Sequence, residues 1–333
     1  MRIAIDAMGG DRAPQAVIDG ALAAVNVIAD DDELVLIGQE EVVRRYLGDE
    51  NRWQAKIKVV HAPEVIAMDD LPVDALRRKR KSSISLMARM GAEKEVDAVV
   101  SAGNTGACVA ACQMLMRLLP GVSRPGILVV FPTFGGPVIA CDVGANIAPK
   151  PLHLHQYAMM STIYAREVVG VANPSVGLIS IGQEDAKGNE LVKTTNQLLR
   201  DDPRINFVGN IEPRGFMDGP ANIIICDGFV GNVILKLTEG IAESLFKAIA
   251  HEISLQKPDL INFFQPLMAG LYAKHDYNEY GGAPLLGVDG TCMICHGSST
   301  ANGIKNAVLR ARQQVLTRIN EKISQQLQRV SVE

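Results

Sequence analysis

Apolar residues along this chain alternate between two patterns. Short runs rich in Val, Ile and Leu occur at RIAID (2–6), ELVLIG (33–38), KIKVV (56–60), DAVVSAG (97–103) and GILVVF (126–131). More follow at PVIACDVGAN (137–146), VGLISIG (176–182), INFVG (205–209), NIIICDG (222–228) and TCMIC (291–295). Continuous β-branched and aliphatic runs of this length read as strands buried on both faces. Between them, apolar positions recur with helical spacing over 13–29, 40–47, 82–94, 105–119, 152–169, 190–199 and 231–253, and a last helix is expected to start at HGSS (296–299). Repeated strand–helix alternation predicts an α/β protein, with helices layered on both faces of a mostly parallel sheet. At 333 residues and 47% hydrophobic content, the chain 1–333 is long enough for one large unit or two lobes.

Sheets of this kind gather ligands where strand carboxyl ends meet helix N-termini. Here the strand ends run into DAMGGD (6–11), SAGNTGA (101–107), DVGAN (142–146), GQEDAKGNE (182–190), CDGFVGN (226–232) and HGSS. Glycine lets the backbone approach a ligand closely, and helix N-termini offer N–H groups to anions. Taken together the six loops predict a cleft for phosphate or another oxyanion. Each piece alone has an ordinary reading. Gly9 and Gly10 can make a tight turn; Asn104, Thr105, Ser298 and Ser299 can cap helices; Lys187 can be a solvated lysine; Asn232 a loop amide; His296 a structural histidine.

A net charge of −4 argues against a general nucleic-acid binder. No uncharged apolar stretch reaches the roughly 18 residues of a membrane span, so any membrane contact is expected to be peripheral. MRIAIDAMGGD lacks the pattern of a secretory signal, which predicts a cytoplasmic protein. Cys292, Cys295 and His296 have the spacing that attaches a c-type haem, but that attachment needs export. A second ligand pair at zinc-ribbon spacing is missing, and Cys108, Cys112, Cys141 and Cys226 lie singly in apolar or small-residue segments. No metal or cofactor is expected.

Two surface features bear on partners. ALRRKRKSSIS (75–85) packs Arg77, Arg78, Lys79, Arg80 and Lys81 ahead of a Ser-capped helix, either as a solvated face or as a docking site for an acidic partner. KPDLINFFQPLMAGLYAK (257–274) is uncharged over 260–273 and interrupted by Pro258 and Pro266, which suits a projecting helical hairpin over 255–275. Its Leu260, Phe263, Phe264, Leu267 and Met268 can serve as core, face a second subunit, hold an acyl chain or enter a membrane interface.

The combination of DAMGGD, SAGNTGA, LPGVSRPGI (119–127), DVGAN, GQEDAKGNE, CDGFVGN followed by ILKLTEG (234–240), YGGAPLLGVDG (280–290) and HGSS resembles the phosphate acyltransferases of bacterial phospholipid synthesis. The resemblance covers residues 6–299. It implies a fold similar to the isocitrate and isopropylmalate dehydrogenases and phosphotransacetylase, with two lobes around a cleft, usually as a homodimer. It also implies transfer of a long acyl chain from acyl carrier protein to orthophosphate, giving acyl phosphate for a downstream glycerol-3-phosphate acyltransferase, with peripheral membrane association.

Chemistry fits that implication. Phosphate is already ionised near neutral pH, and a thiol of reference pKa about 8.5 leaves with little help, so the site needs hydrogen-bond donors more than bases. By the resemblance Lys187 and Asn232 are the catalytic candidates, with His296 as a further donor; Gly9, Gly10, Gly103, Asn104, Thr105, Gly106, Asn146, Asp227, Gly228, Ser298 and Ser299 form the phosphate and substrate cradle. Asp6, Asp11, Asp142 and Asp227 are expected to orient loops, since a carboxylate beside phosphate would repel it. The basic run 77–81 becomes a candidate carrier-docking surface. Three alternatives stay open: a short-chain phosphotransacetylase, a decarboxylating NAD-dependent dehydrogenase of similar fold, and a non-enzymatic membrane-surface scaffold.

Overall fold

Strand β1 (Arg2–Asp6) sends Ile3 and Ile5 to one side and Ala4 to the other, all within 1% of full burial, as its unbroken apolar run predicts. The same holds along β2 (Glu33–Gly38), which lies beside it in parallel. The computed structural model describes residues 1–48, 53–257, 260, 262–267, 270 and 281–328. The remaining described strands are β3 (Ile57–His61), β4 (Ala98–Ser101), β5 (Gly126–Thr133), β6 (Gly136–Cys141), β7 (Ser175–Ile179), β8 (Asn206–Ile211), β9 (Ile223–Ile225), β10 (Ala283–Leu286) and β11 (Thr291–Ile294).

All eleven join one sheet in the order β3-β2-β1-β4-β11-β10-β5-β6-β9-β7-β8. Two parallel blocks, β3-β2-β1-β4-β11 and β6-β9-β7-β8, form its wings. Antiparallel pairings of β11 with β10, β10 with β5 and β5 with β6 join them, so the wings run in opposite senses. The sheet is therefore mostly parallel, with an antiparallel centre that strand–helix alternation did not predict. The cause is local: Gly136, at φ +112°, and the Thr133 hydroxyl, donating to Gly136 O at 2.6 Å, turn β5 straight back into β6 without a crossover helix. β10 lies in the quoted YGGAPLLGVDG segment, where a Pro and four glycines hide a four-residue strand.

Helices cover both faces. They are α1 (Gln15–Val25), α2 (Glu40–Leu47), α3 (Pro72–Arg78), α4 (Ser83–Ala92), α5 (Thr105–Ala111), α6 (Pro151–Tyr164), α7 (Glu190–Asp201), α8 (Gly228–Gln256), α9 (Ala301–Thr317) and α10 (Ile319–Gln328). One core runs under α3, α4 and α5 into the second wing; the others lie under α1 and α9, and under α6 and α10. A side chain at Gly20 of α1 would lie 2.6 Å from Ile304 Cβ of α9, so glycine sets how closely this pair packs.

Helix α8 begins at the sheet, where Gly228 and Gly231 are buried, and then leaves it. Phe229, Val233, Leu237, Ile241 and Leu245 recur every four residues along its exposed side. The expected projecting segment continues from its end: Leu260, Phe263 and Leu267 are exposed and Phe264 half-buried against Phe263, whereas Met268 and 271–275 lie outside the described residues.

Candidate active site

Loops from both wings meet over the antiparallel centre of the sheet. Asp11 after β1, Thr105 and Gly106 after β4, Val143 and Gly144 after β6, and Cys295, His296 and Gly297 after β11 line one cavity of about 430 Å³. Helix α8 adds Asn232, Leu235, Lys236 and Glu239, whose spacing puts them on one helical face. Ile127, Val129 and Val130 of β5, with Ile294 of β11, give the cavity an apolar wall. Five of the six expected loops thus contribute to one site; the loop 182–190 lends it no lining residue.

Two buried aspartates hold these loops. Asp6 accepts from the Ser101 hydroxyl at 2.8 Å and from the Met8 N–H at 3.2 Å, and Ser101 Oγ in turn accepts from the Gly103 N–H at 3.1 Å. Burial pushes the Asp6 carboxyl above its ordinary value, against these donors and Ser83. A side chain at Gly9 would meet Asp6 Oδ2 at 2.4 Å and Gly103 N at 2.6 Å, so the two glycine loops touch. The Asp11 N–H donates to Gly297 O at 2.8 Å, tying the β1 loop to the β11 loop, and Gly10 reaches this contact at φ +109°.

Asp142 does the same in the second wing. Its Oδ1 accepts from the N–H of Ile127 and of Ala145, both at 3.0 Å, and its Oδ2 from the Asn146 N–H at 2.7 Å and Nδ2 at 3.1 Å. Burial outweighs these four donors and pushes its carboxyl up to about 6. Gly228 and Gly231 let α8 start against this loop: their added side chains would meet Asn146 O at 2.7 Å and Asp142 O at 2.0 Å.

Several cradle candidates are committed to building the site. Asn104 caps α5 by accepting from the Ala107 N–H at 3.0 Å, while its Nδ2 donates to Ala67, Met68 and Asp70 carbonyls. Asn146 spends its amide on Pro125 O and Asp142. Asp227 caps α8 through the Val230 N–H at 2.9 Å. Ser298 Oγ lies 2.8 Å from His296 Nδ1, and Ser299 is buried. The cap of α9 is Thr300, one residue beyond HGSS. Lys187 is exposed on the loop 182–190, its stem against Gly182.

Lys236 and Glu239 are the residues that reading the sequence passed over. They belong to ILKLTEG, and counting four and seven residues on from Asn232 would have placed them beside it. Burial pushes Glu239 above its ordinary value, opposed by nearby His296 and Lys236.

Basic residues divide similarly. Arg77, Arg78, Arg80 and Lys81 are exposed around the end of α3, but Lys79 is ion-paired to Asp70 at 2.5 Å and donates to Val65 O at 2.9 Å. Arg312, another basic side chain available in principle to an acidic partner, is paired with buried Asp32 at 2.5 Å. All six cysteines are free and buried. Cys292 and Cys295 face opposite cores, so the haem-like spacing brings no pair of thiols together with His296.

Residues 1–322 match the family model described as fatty acid synthesis protein. The chain is 43% identical to the phosphate acyltransferase of Dictyoglomus turgidum over 334 residues, covering 99% of each chain. It is 42% identical to that of Geobacter sulfurreducens, covering 98% of this chain and 94% of the relative. In fold it is similar to a phosphotransacetylase from Streptococcus pyogenes, with a TM-score of 0.61 at 16% identity over 95% of this chain and 94% of that one. A branched-chain phosphotransacylase from Enterococcus faecalis matches with a TM-score of 0.59 at 14% identity, over 95% and 99% of the two chains. Near-complete coverage at this identity, on a sheet whose loops converge on one cavity, means that the chain belongs to the phosphate acyltransferase family of fatty acid synthesis proteins and is an acyltransferase.

Proposed function

We propose that this acyltransferase moves a long-chain fatty acyl group from acyl carrier protein to orthophosphate, giving acyl phosphate for acylation of glycerol 3-phosphate. One observation carries the reading: a single cavity is lined both by the polar Thr105, Asn232, Lys236 and His296 and by the apolar Ile127, Val129, Val130 and Ile294. A dianion suits the first group and the acyl chain beside a thioester suits the second.

In this reading a phosphate oxygen attacks the thioester carbonyl, the tetrahedral intermediate collapses, and the carrier's phosphopantetheine thiolate leaves. Asn232 and His296 donate to the developing oxyanion, a type of contact whose loss commonly costs about 100- to 1000-fold in turnover. Lys236 holds phosphate and screens its charge, and Lys187 of the loop 182–190 supplies a second cation. Gly9, Gly10, Gly103, Gly106 and Gly228 keep the surrounding backbone close; Asn104, Asn146, Asp227, Ser298 and Ser299 hold its shape. Trapping the product with hydroxylamine tests this directly. Long-chain hydroxamate formation from acyl carrier thioester is expected to rise above the enzyme-free aminolysis of the thioester only when enzyme and orthophosphate are both present; an enzyme-dependent rise that is the same without phosphate refutes the reading.

The basic run supports carrier docking. Arg77 and Arg80 line a shallow groove with Arg89, Met114 and Leu115, which suits an acidic partner that also offers apolar contacts. The exposed stripe of α8 and the residues Leu260, Phe263, Phe264 and Leu267 support a homodimer whose tip rests on a membrane surface from the cytoplasmic side, near the enzyme that uses acyl phosphate. None of the described helices is long and apolar enough to cross a membrane. Co-sedimentation with anionic vesicles that is unchanged when Phe263 and Leu267 become serine would rule out the membrane contact.

A further inference from the structure

Cys108, Cys112 and Cys292 bring their sulfurs together in the core beneath the candidate site. The three Sγ atoms lie within 4.8 Å of one another, and Cys112 and Cys292 are 3.5 Å apart. Cys108 and Cys112 stand one turn apart where α5 passes into the π-helical turn Cys112–Met116, and Cys292 projects from β11 toward them. Each is at most 1% exposed. The partner that Cys292 has in sequence, Cys295, lies on the other face of the sheet.

Three sulfurs around one centre at a bond length of about 2.3 Å sit about 4 Å apart in planar geometry and closer in a pyramid. The Cys112–Cys292 separation of 3.5 Å falls in that range, and all three sulfurs lie within 4.8 Å of one another. Charge then selects the centre. Three thiolates leave a net charge of −2 on a monovalent ion, −1 on a divalent ion and none on a trivalent one, and the interior shared by Val99, Val109 and Met116 penalises net charge heavily. We propose that Cys108, Cys112 and Cys292 form a trithiol capture site for a trivalent, thiophilic main-group centre of the arsenite class.

Capture is a condensation without redox change: As(OH)3 and three thiols give As(SR)3 and three waters, each thiol proton leaving with one hydroxide. The site also touches function. Thr105 and Gly106 open the helix that carries Cys108, and His296 follows Cys292 by four residues, so capture strains both sides of the cavity.

The test titrates the full-length protein with arsenite in a thiol-free phosphine reductant. Native mass spectrometry should show one arsenic per chain with loss of three protons, and arsenic-edge absorption should show three sulfur neighbours. Cys112→Ser and Cys112→Ala should each weaken binding at least about 10-fold, since only two thiols remain, while Cys295→Ser binds as the wild type does. The arsenic-edge measurement needs no variant and stands if those proteins fold poorly. No adduct, a centre with two sulfurs and an oxygen, binding abolished by Cys295→Ser, or tighter binding of Zn2+ than of arsenite overturns the proposal.

Discussion

Asp142 accepts two hydrogen bonds from Asn146, one from its backbone N–H at 2.7 Å and one from its side-chain amide at 3.1 Å. This pair folds the loop after β6 onto the start of α8, which brings Asn232 to the cavity. Asp142→Asn keeps the shape but turns an amide group toward N–H donors, leaving at least one buried donor unpaired. The expected loss is about 2 kcal/mol of stability, read as a lower Tm, with reduced turnover. The pH dependence has a defined sign. Because the folded carboxyl titrates at about 6, above an unfolded value of about 3.9, its contribution is fully present below about 3.9 and is lost as pH rises through about 6. Asp142→Asn should remove that component from a plot of stability against pH.

Two glycines of α8 should respond oppositely to alanine. At Gly231 the new side chain would lie 2.0 Å from Asp142 O, whereas at Gly240 nothing lies within 4 Å. Gly231→Ala should displace the helix start and abolish activity. Gly240→Ala should raise stability by up to about 1 kcal/mol through helix propensity, with activity retained. Thermal melts and transfer rates of the two variants, measured side by side, check this.

Asp202 joins two helices of the second wing. Burial alone would raise its carboxyl, but Arg204, at 2.7 and 2.5 Å, and His155, at 2.8 Å, more than offset that and hold it at about 2. A depressed acid stabilises the fold above its unfolded value of about 3.9 and loses that contribution as pH falls through about 2. Asp202→Asn should therefore cost about 2 kcal/mol at neutral pH, and the difference from wild type should vanish toward pH about 2. Urea unfolding across that range measures it.

Lys236 and Lys187 separate by position. Lys236 lines the cavity and Lys187 does not. Lys236→Ala should raise the KM for phosphate about 10- to 100-fold, the range expected for one charge-assisted hydrogen bond. Lys187→Ala should lower kcat with a smaller change in KM, as for a cation that acts as charge develops. Steady-state kinetics in varied phosphate distinguishes them.

Much of this architecture was legible because buried parallel strands leave unbroken apolar runs; each of the ten predicted strand segments overlaps an observed strand. The antiparallel centre was not, since GILVVF and PVIAC read alike whichever way they pair, and the reversal depends on a turn at Gly136. Five of the six glycine-rich strand ends line one cavity, and the loop 182–190 does not. They could not show that Asn104 and Asn146 spend their amides on carbonyls and a carboxylate, because those partners lie far away in sequence or depend on loop shape. Lys236 was hidden inside a helix read for its apolar residues. The cysteine cluster was hidden more deeply, since Cys292 meets Cys112, 180 positions away, rather than its neighbour in the motif.

The most direct test of the central claim is thiol release from palmitoyl acyl carrier protein, with and without orthophosphate, by the wild type and Asn232→Ala. The account predicts release that requires phosphate and falls about 100- to 1000-fold in the variant. Release by the wild type that is indifferent to phosphate would contradict it.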